Sequence, residues 1–181
     1  MEYYNIISSE KTNDNTDLYL SIKDERITSA VCLYKDEFPV ATIPIQLEAI
    51  NIVSSFRELD FPGVGCPEIV SEDFKKLIID LGMYDHIEFI PTYVSNFAVE
   101  KKYYILHFTK MLTGYIDEKR SKYVLLQDKQ DLVVPCIKTN LENPYSIFKI
   151  SEDPWGLFVS EKLKKEFKKR KLTGCDFLKR S

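Results

Sequence analysis

The sequence is poor in the residues that build common cofactor and catalytic sites. Its 181 residues include only 6 glycines and 2 histidines. It contains no phosphate-binding glycine loop, dinucleotide-binding fingerprint, Gly-x-Ser-x-Gly elbow or His-Glu-x-x-His motif. The one close glycine pair, Gly63 and Gly65, lacks a third glycine and follows a proline, which indicates a loop. We therefore predict no catalytic, cofactor-binding or metal-binding residues.

Long apolar runs are also missing. The longest span a few residues, against the roughly 20 that a membrane-spanning helix needs. Residues 1–15 contain neither the basic nor the apolar segment of a secretory leader. We therefore expect a cytoplasmic protein that does not contact a membrane.

The four cysteines, Cys32, Cys66, Cys136 and Cys175, lie far apart in the sequence. None of them belongs to the short Cys-x-x-Cys spacing of a zinc knuckle or a redox site. Cys32 and Cys136 have apolar neighbours, and free cysteine packs as a small apolar residue. This favours buried free thiols in a reducing compartment.

The chain is otherwise of ordinary globular composition, with 44% hydrophobic, 29% charged and 13% aromatic residues. These values exclude a disordered or low-complexity chain, and the length suits a single domain over residues 1–181. The segment 60–67 holds two prolines and two glycines. It predicts a soft boundary between an N-terminal acidic part, 1–60, and a C-terminal part, 66–181.

Charge is unevenly distributed along the chain. Residues 1–73 carry 14 acidic and 5 basic side chains, and residues 74–160 carry 11 of each. Residues 161–181 carry 3 acidic and 9 basic ones, so the three segments have net charges of −9, 0 and +6. Such a field influences partner choice and association rate more than it influences the fold.

Short runs of aromatic and β-branched residues predict a fold rich in strands. Expected strands cover residues 2–7, 87–94, 103–108, 123–126, 132–137 and 145–150. Further short strands are expected within 18–50, with a loop at 8–17 and a polar turn at 127–131. The predicted fold class is α+β, a mostly antiparallel sheet with few helices.

Two segments share a pattern that starts a helix. Residues 69–76 and 158–165 are identical at five of eight positions. Ser71 and Ser160 are the predicted N-caps, because a serine oxygen can accept an unpaired amide of the first turn. In both segments the helix is followed by a glycine and a short strand. The match reflects either a shared helix-start signal or two similar strand-helix-strand units on one sheet.

The two histidines offer little for catalysis. His86 has acidic neighbours but no second histidine at ligand spacing, which favours a turn or surface position. His107 lies within a strand pattern and is predicted to be a core or sheet-face residue. An enzyme with an unrecognised site around either histidine is the least favoured class of function.

Seven basic residues lie between Lys162 and Lys171. They suit a solvated helix face, a docking patch for an acidic partner, or a nucleic-acid surface. Leu163 and Phe167 are needed for the core side of the same helix, and no further aromatic residue is placed to stack on bases. The sequence pI of about 5.5 also makes nucleic acid an unlikely partner.

Two features are candidates for contacting a partner protein. Trp155 either covers the core beside the last helix or anchors an interface, where tryptophan is enriched. A set of acidic side chains in predicted loops either serves solubility or imitates nucleic acid toward a basic toxin. They are Asp14, Asp17, Asp24, Glu25, Asp36 and Glu37.

Five segments between residues 66 and 181 together resemble a bacterial protein family. They are Pro67–Glu72, Tyr115–Tyr123, Ser146–Ile150, Trp155–Lys164 and Leu172–Phe177. In their order and spacing, residues 66–181 are similar to the predicted immunity proteins of polymorphic toxin systems, formerly a domain of unknown function.

The resemblance implies an α+β fold without enzymatic activity. It further implies that the protein binds and neutralises a cognate toxin, encoded by an adjacent gene, in the producing cell or its kin. The alternative is a nucleic-acid-associated or regulatory module that uses the basic C-terminal helix.

Overall fold

A computed structural model of the chain describes residues 2–9, 17–24, 44–50, 57–62, 67–82, 84–126, 129–140 and 142–181. Within these ranges the chain forms two helices and thirteen strands. Neither helix of the described ranges is long and apolar enough to cross a membrane.

The elements follow one another along the chain, with one helix before its midpoint and the other near its C-terminal end. The helices are α1 (Glu72–Leu81) and α2 (Glu161–Lys169). The strands are β1 (Tyr3–Ser8), β2 (Asp17–Leu18), β3 (Leu20–Ile22), β4 (Ile45–Ala49), β5 (Arg57–Glu58), β6 (Ile69–Ser71), β7 (Ile87–Val94), β8 (Tyr103–Phe108), β9 (Lys122–Leu126), β10 (Lys129–Val134), β11 (Ile147–Ile150), β12 (Asp153–Ser160) and β13 (Cys175–Lys179).

The strands form two larger sheets, a hairpin and one short parallel pair. The larger sheets have the orders β3-β4-β7-β8-β6 and β11-β12-β1-β13. β9 and β10 form the hairpin, and β2 pairs with β5. The described pairs are antiparallel except β4–β7 and β2–β5. The predicted α+β class, mostly antiparallel and with few helices, is confirmed.

Most predicted strands lie close to their expected bounds. β1, β7, β8 and β11 confirm the runs predicted from residues 2, 87, 103 and 145. The strand expected at 132–137 begins at Lys129 instead, within the polar turn predicted at 127–131, of which residues 127–128 lie outside the described residues. It ends before Pro135, because a proline has no amide to donate to a sheet.

Both helices begin at the serine that the sequence predicts. Ser71 Oγ accepts a hydrogen bond from the Phe74 amide at 3.2 Å, and Ser160 Oγ accepts one from the Leu163 amide at 3.3 Å. The amide of Gly82, which adopts a φ of 73°, donates to the carbonyl of Ile79 at the end of α1. Positive φ is the conformation for which glycine is preferred at this position.

The two helices belong to two similar strand-helix-strand units, β6-α1-β7 and β12-α2-β13. In each unit the two strands lie on either side of a third, antiparallel strand, which is β8 in one sheet and β1 in the other. The interpretation that both units share one sheet is wrong. Because β1 and β8 each fill the space between a unit's strands, each unit completes its own sheet.

A common core joins the two units. Phe74 of α1 and Phe167 of α2 meet edge to face, with ring centroids 5.2 Å apart. This core includes buried residues of both larger sheets, among them Ile6 of β1 and Leu106 of β8. Apolar burial of this kind is the main favourable contribution to folding. The helices therefore hold the two sheets together.

Asp60 makes a second, polar link between the units. Its carboxylate accepts hydrogen bonds from Ser71 Oγ at 2.7 Å, from the Thr173 amide at 2.9 Å and from Lys101 Nζ at 2.5 Å. Ser71 begins α1, and Thr173 stands just before β13. The soft boundary at 60–67 stays a prediction, and residues 63–66 lie outside the described residues.

Candidate functional site

Trp155, in strand β12, is the most exposed aromatic residue of the described ranges. It is the only tryptophan of the sequence, and 61% of its surface is exposed. The interpretation that it covers the core beside the last helix is therefore wrong. Leu157 and Phe158, further along β12, are buried. The strand thus carries an exposed tryptophan and a buried core segment in direct succession.

A bulge of several residues in β12 separates these two parts of the strand. Phe148 of β11 pairs with Phe158, and Ile150 pairs with Asp153. Between these pairs β11 has one residue, Lys149, whereas β12 has four, residues 154–157. The extra residues leave the ladder and bend the strand, as bulges do. Trp155 lies in this bulge.

A buried ion pair lies directly beneath the bulge. Lys149 Nζ is 2.7 Å from Glu68 Oε1, and both side chains are almost completely buried. The same ammonium donates a hydrogen bond to the carbonyl of Pro154 at 3.1 Å. Burial raises the pKa of the Glu68 carboxyl, against the opposing effect of Lys149. Sequence reasoning did not select either residue; a lysine within the apolar run Ser146–Ile150 was the available signal.

Asp17 is not a surface residue, contrary to its place among the acidic candidates. It opens β2, it is fully buried, and its carboxylate accepts two hydrogen bonds from the Arg57 guanidinium, at 2.8 and 3.0 Å. The expectation of an exposed loop carboxylate is therefore wrong. The buried charge is compensated by a bidentate pair that closes the β2–β5 contact.

Of the other acidic candidates, the structure describes only Asp24. Asp24 is half-buried, and its carboxylate lies 3.5 Å from the amide of Gln46. This contact ties it to β4. The remaining candidates, Asp14, Glu25, Asp36 and Glu37, lie outside the described residues. Their role in binding a partner stays a prediction.

The basic face of α2 is largely engaged within the molecule. Lys164 Nζ lies 3.5 Å from the ring centroid of Tyr4. Ion pairs join Lys165 to Glu161, Lys169 to Glu166, and Arg170 to Asp80. Of the seven basic residues, Lys162, Lys168 and Lys171 have neither an acidic side chain of the described ranges within 4.0 Å nor a contact with an aromatic ring there. The face is therefore less positive than the sequence suggests.

Both histidines are buried. His107 lies in β8, which confirms its predicted core or sheet-face position. Of the two positions predicted for His86, a turn or the surface, the structure shows the turn, and the side chain is buried. Its Nε2 donates to the carbonyl of Ile147 at 2.8 Å, and its ring lies over that of Tyr145. Burial lowers the pKa of both imidazoles, which favours their neutral form.

The potential metal ligands of the described ranges do not form a cluster. No group of three histidine, cysteine, aspartate or glutamate side chains there could hold a metal ion. Cys136 and Cys175 are buried free thiols, as predicted. Cys32 and Cys66 lie outside the described residues.

A second exposed apolar surface lies on the β9–β10 hairpin. Tyr123, Val124 and Val133 are exposed there, although all three are apolar or aromatic. Sequence reasoning assigned no role to this hairpin. Its residues offer a matched comparison for Trp155, because they are exposed apolar side chains on strands of the same molecule.

Comparison with known protein families assigns this chain to a family. A family model described as Immunity protein 43 matches residues 64–181. The chain belongs to this family. The match confirms the resemblance seen in residues 66–181, and it includes both strand-helix-strand units and strand β8 but not strand β1. No curated protein matches the sequence.

Proposed function

We propose that this protein neutralises a cognate bacterial toxin by binding to it, and that it catalyses no reaction. Membership of the Immunity protein 43 family, over about two thirds of the chain, is the observation that carries the proposal. The buried, neutral histidines support it, because neither ring is exposed to exchange a proton with a substrate.

The mechanism is occlusion of the toxin's working surface. A protein that blocks another one needs a rigid surface with a few anchoring side chains rather than reactive groups. Trp155 is such an anchor, and charged residues around it would accelerate the encounter. The acidic candidates Asp14, Glu25, Asp36 and Glu37, which lie outside the described residues, are the second candidate for this role.

The proposed setting is the cytoplasm of a bacterium that carries a polymorphic toxin system. In that setting the toxin gene is adjacent to the gene for this chain, and the immunity protein protects the producing cell and its kin. The proposal needs neither a cofactor nor a membrane.

Nucleic-acid binding by α2 is the alternative function. It has less support, because four of the seven basic side chains are paired with an acid or placed over an aromatic ring. Neutralising phosphates with the remaining lysines would give weak binding that falls steeply with salt.

Growth rescue tests the proposal directly. The toxin domain encoded by the adjacent gene is expressed from an inducible promoter, with this chain, an unrelated immunity protein or an empty vector. We expect growth only with this chain, together with a complex of the purified chain and a catalytically inactive toxin variant. Unchanged toxicity and no complex would contradict the proposal. A gel shift of DNA or RNA at low salt would then favour the alternative.

A further inference from the structure

The bulge of β12 is held in one conformation from inside the protein. The carbonyl of Pro154, which leaves the sheet ladder at the bulge, accepts a hydrogen bond from Lys149 Nζ. Glu68 in turn holds the ammonium at 2.7 Å. The Asp153 carboxylate accepts the Gly156 amide at 3.2 Å. Backbone groups on both sides of Trp155 are therefore fixed.

Gly156 shows how closely the bulge is packed. A Cβ atom at this position would lie 2.6 Å from the Phe158 ring and 2.6 Å from Asp153 Oδ2. Such distances are far below van der Waals contact, and Phe158 is fully buried. The chain can therefore pass over Phe158 only with a glycine beside the tryptophan.

The ion pair beneath the bulge fills the core at a high cost in desolvation free energy. Burial removes both charges from water, and two apolar side chains of similar volume often stabilise a fold as well or better. What an apolar pair could not provide is a donor for the Pro154 carbonyl. The Glu68–Lys149 pair thus serves the conformation of the bulge, and the bulge presents Trp155.

We propose that the bulge of residues 154–157 is the anchor of the toxin interface, with Trp155 entering an apolar pocket of the toxin and Glu68 and Lys149 acting as positioning residues. This inference rests on the proposed function. A tryptophan on fixed backbone loses little conformational freedom on binding, which is why preorganised aromatic anchors bind tightly.

An acidic residue three positions before Trp155 in the sequence indicates the chemistry of the pocket's rim. Glu152 is exposed, and its carboxylate accepts hydrogen bonds from two neutral donors, the Gly114 amide and Ser151 Oγ. No basic side chain of the described residues pairs with it. A complementary pocket is therefore apolar inside and carries a basic side chain at its edge, opposite Glu152.

Affinity measurements on matched variants test the anchor. The probe is the catalytically inactive toxin domain encoded by the adjacent gene, titrated with the full chain. We expect Trp155→Ala to raise the Kd by about 30-fold or more, as for an interface hot spot. Tyr123→Ala and Val133→Ser, on the exposed hairpin, should leave the Kd within about twofold.

A spectroscopic measurement observes the indole itself. Because the chain has one tryptophan, labelling it with 5-fluorotryptophan gives a single ¹⁹F resonance whatever the toxin contains. We expect the resonance to shift on binding and to lose its sensitivity to D₂O.

The variant Glu68→Gln/Lys149→Met should shift the resonance of the free protein and raise the Kd about tenfold while folding cooperatively. A purely structural pair would change the stability and leave the Kd unchanged.

The outcomes separate the two proposals. Suppose that the chain rescues growth and forms a wild-type complex, but that Trp155→Ala leaves the Kd unchanged and the resonance does not shift. This result would overturn the proposed anchor and leave the immunity function standing. A loss of affinity in the hairpin variants alone would also overturn it. Absence of any wild-type complex and of growth rescue would overturn both.

Discussion

The hydroxyl of Ser71 connects the carboxylate of Asp60 to the first turn of α1. Ser71 Oγ donates to Asp60 Oδ1 at 2.7 Å and accepts from the Phe74 amide at 3.2 Å. The donated bond orients the oxygen toward the amide that it caps. The carboxylate also accepts from the Thr173 amide, so the start of the helix in one unit and the segment before the last strand of the other share an acceptor.

This relationship makes the two serine caps unequal. Ser160→Ala removes one capping bond, and we expect a loss of about 1 kcal/mol in the free energy of unfolding. Ser71→Ala also removes a donor from the buried Asp60, and its expected loss is about 2 kcal/mol. Urea denaturation of the two variants measures the difference. Equal losses would show that the Asp60 contact adds nothing to the cap.

Asp17 is expected to affect stability and not toxin binding. Asp17→Asn weakens a bidentate bond from Arg57 to a buried carboxylate, which should cost about 2 kcal/mol. The matched control is Asp80→Asn, in an exposed pair with Arg170, where a loss below about 1 kcal/mol is expected. Chemical denaturation and the Kd for the toxin are the measurements. An unchanged stability with a weaker complex would restore Asp17 as a contact residue.

The buried histidines predict a loss of stability in mild acid. The folded-state pKa of His86 and of His107 lies below the ordinary value of 6.5, because burial disfavours the charged ring. The unfolded chain therefore binds protons first, and this contribution to stability is full above pH 6.5 and declines as the pH falls. Each histidine adds a slope of up to about 1.4 kcal/mol per pH unit.

Urea denaturation between pH 7.5 and pH 5 measures this slope. The double variant His86→Gln/His107→Gln should show a flatter dependence over the same range. The same slope in the variant and the wild type would assign the effect to carboxylates instead.

The described thiols are expected to be unreactive in the folded protein. Cys136 and Cys175 are buried, and burial raises the pKa of the Cys175 thiol, so little thiolate is present at neutral pH. In a Cys32→Ser/Cys66→Ser variant, Ellman's reagent should label both remaining thiols only after denaturant is added. Rapid labelling without denaturant would show that the core around them opens readily.

Local patterns were reliable where a few neighbouring residues determine the outcome. The helix starts at Ser71 and Ser160 were predicted correctly, because a cap depends on the serine, its acidic neighbour and the apolar spacing that follows. The strands at 87–94 and 103–108 were also recognisable, since their residues favour extended structure. These interactions lie within one element.

Burial of individual polar residues was not predictable in the same way. Asp17 and His86 belong to hydrophilic segments, yet each is buried against a partner far along the chain, Arg57 or Ile147. Trp155 is a large aromatic residue of the kind expected in a core, yet it is exposed, because the four-residue bulge of β12 takes it out of the sheet. Nothing in the neighbouring sequence specifies these distant partners.

The sequence by itself determined the α+β class, the two capped helices and the family to which residues 64–181 belong. Those properties depend on short-range spacing and on the order of motifs. Only the tertiary structure decided that each repeated unit completes a separate sheet, and that Glu68 and Lys149 meet beneath the Trp155 bulge. Strand pairing and buried ion pairs join residues that are distant in sequence, so their identity emerges only when the chain has folded.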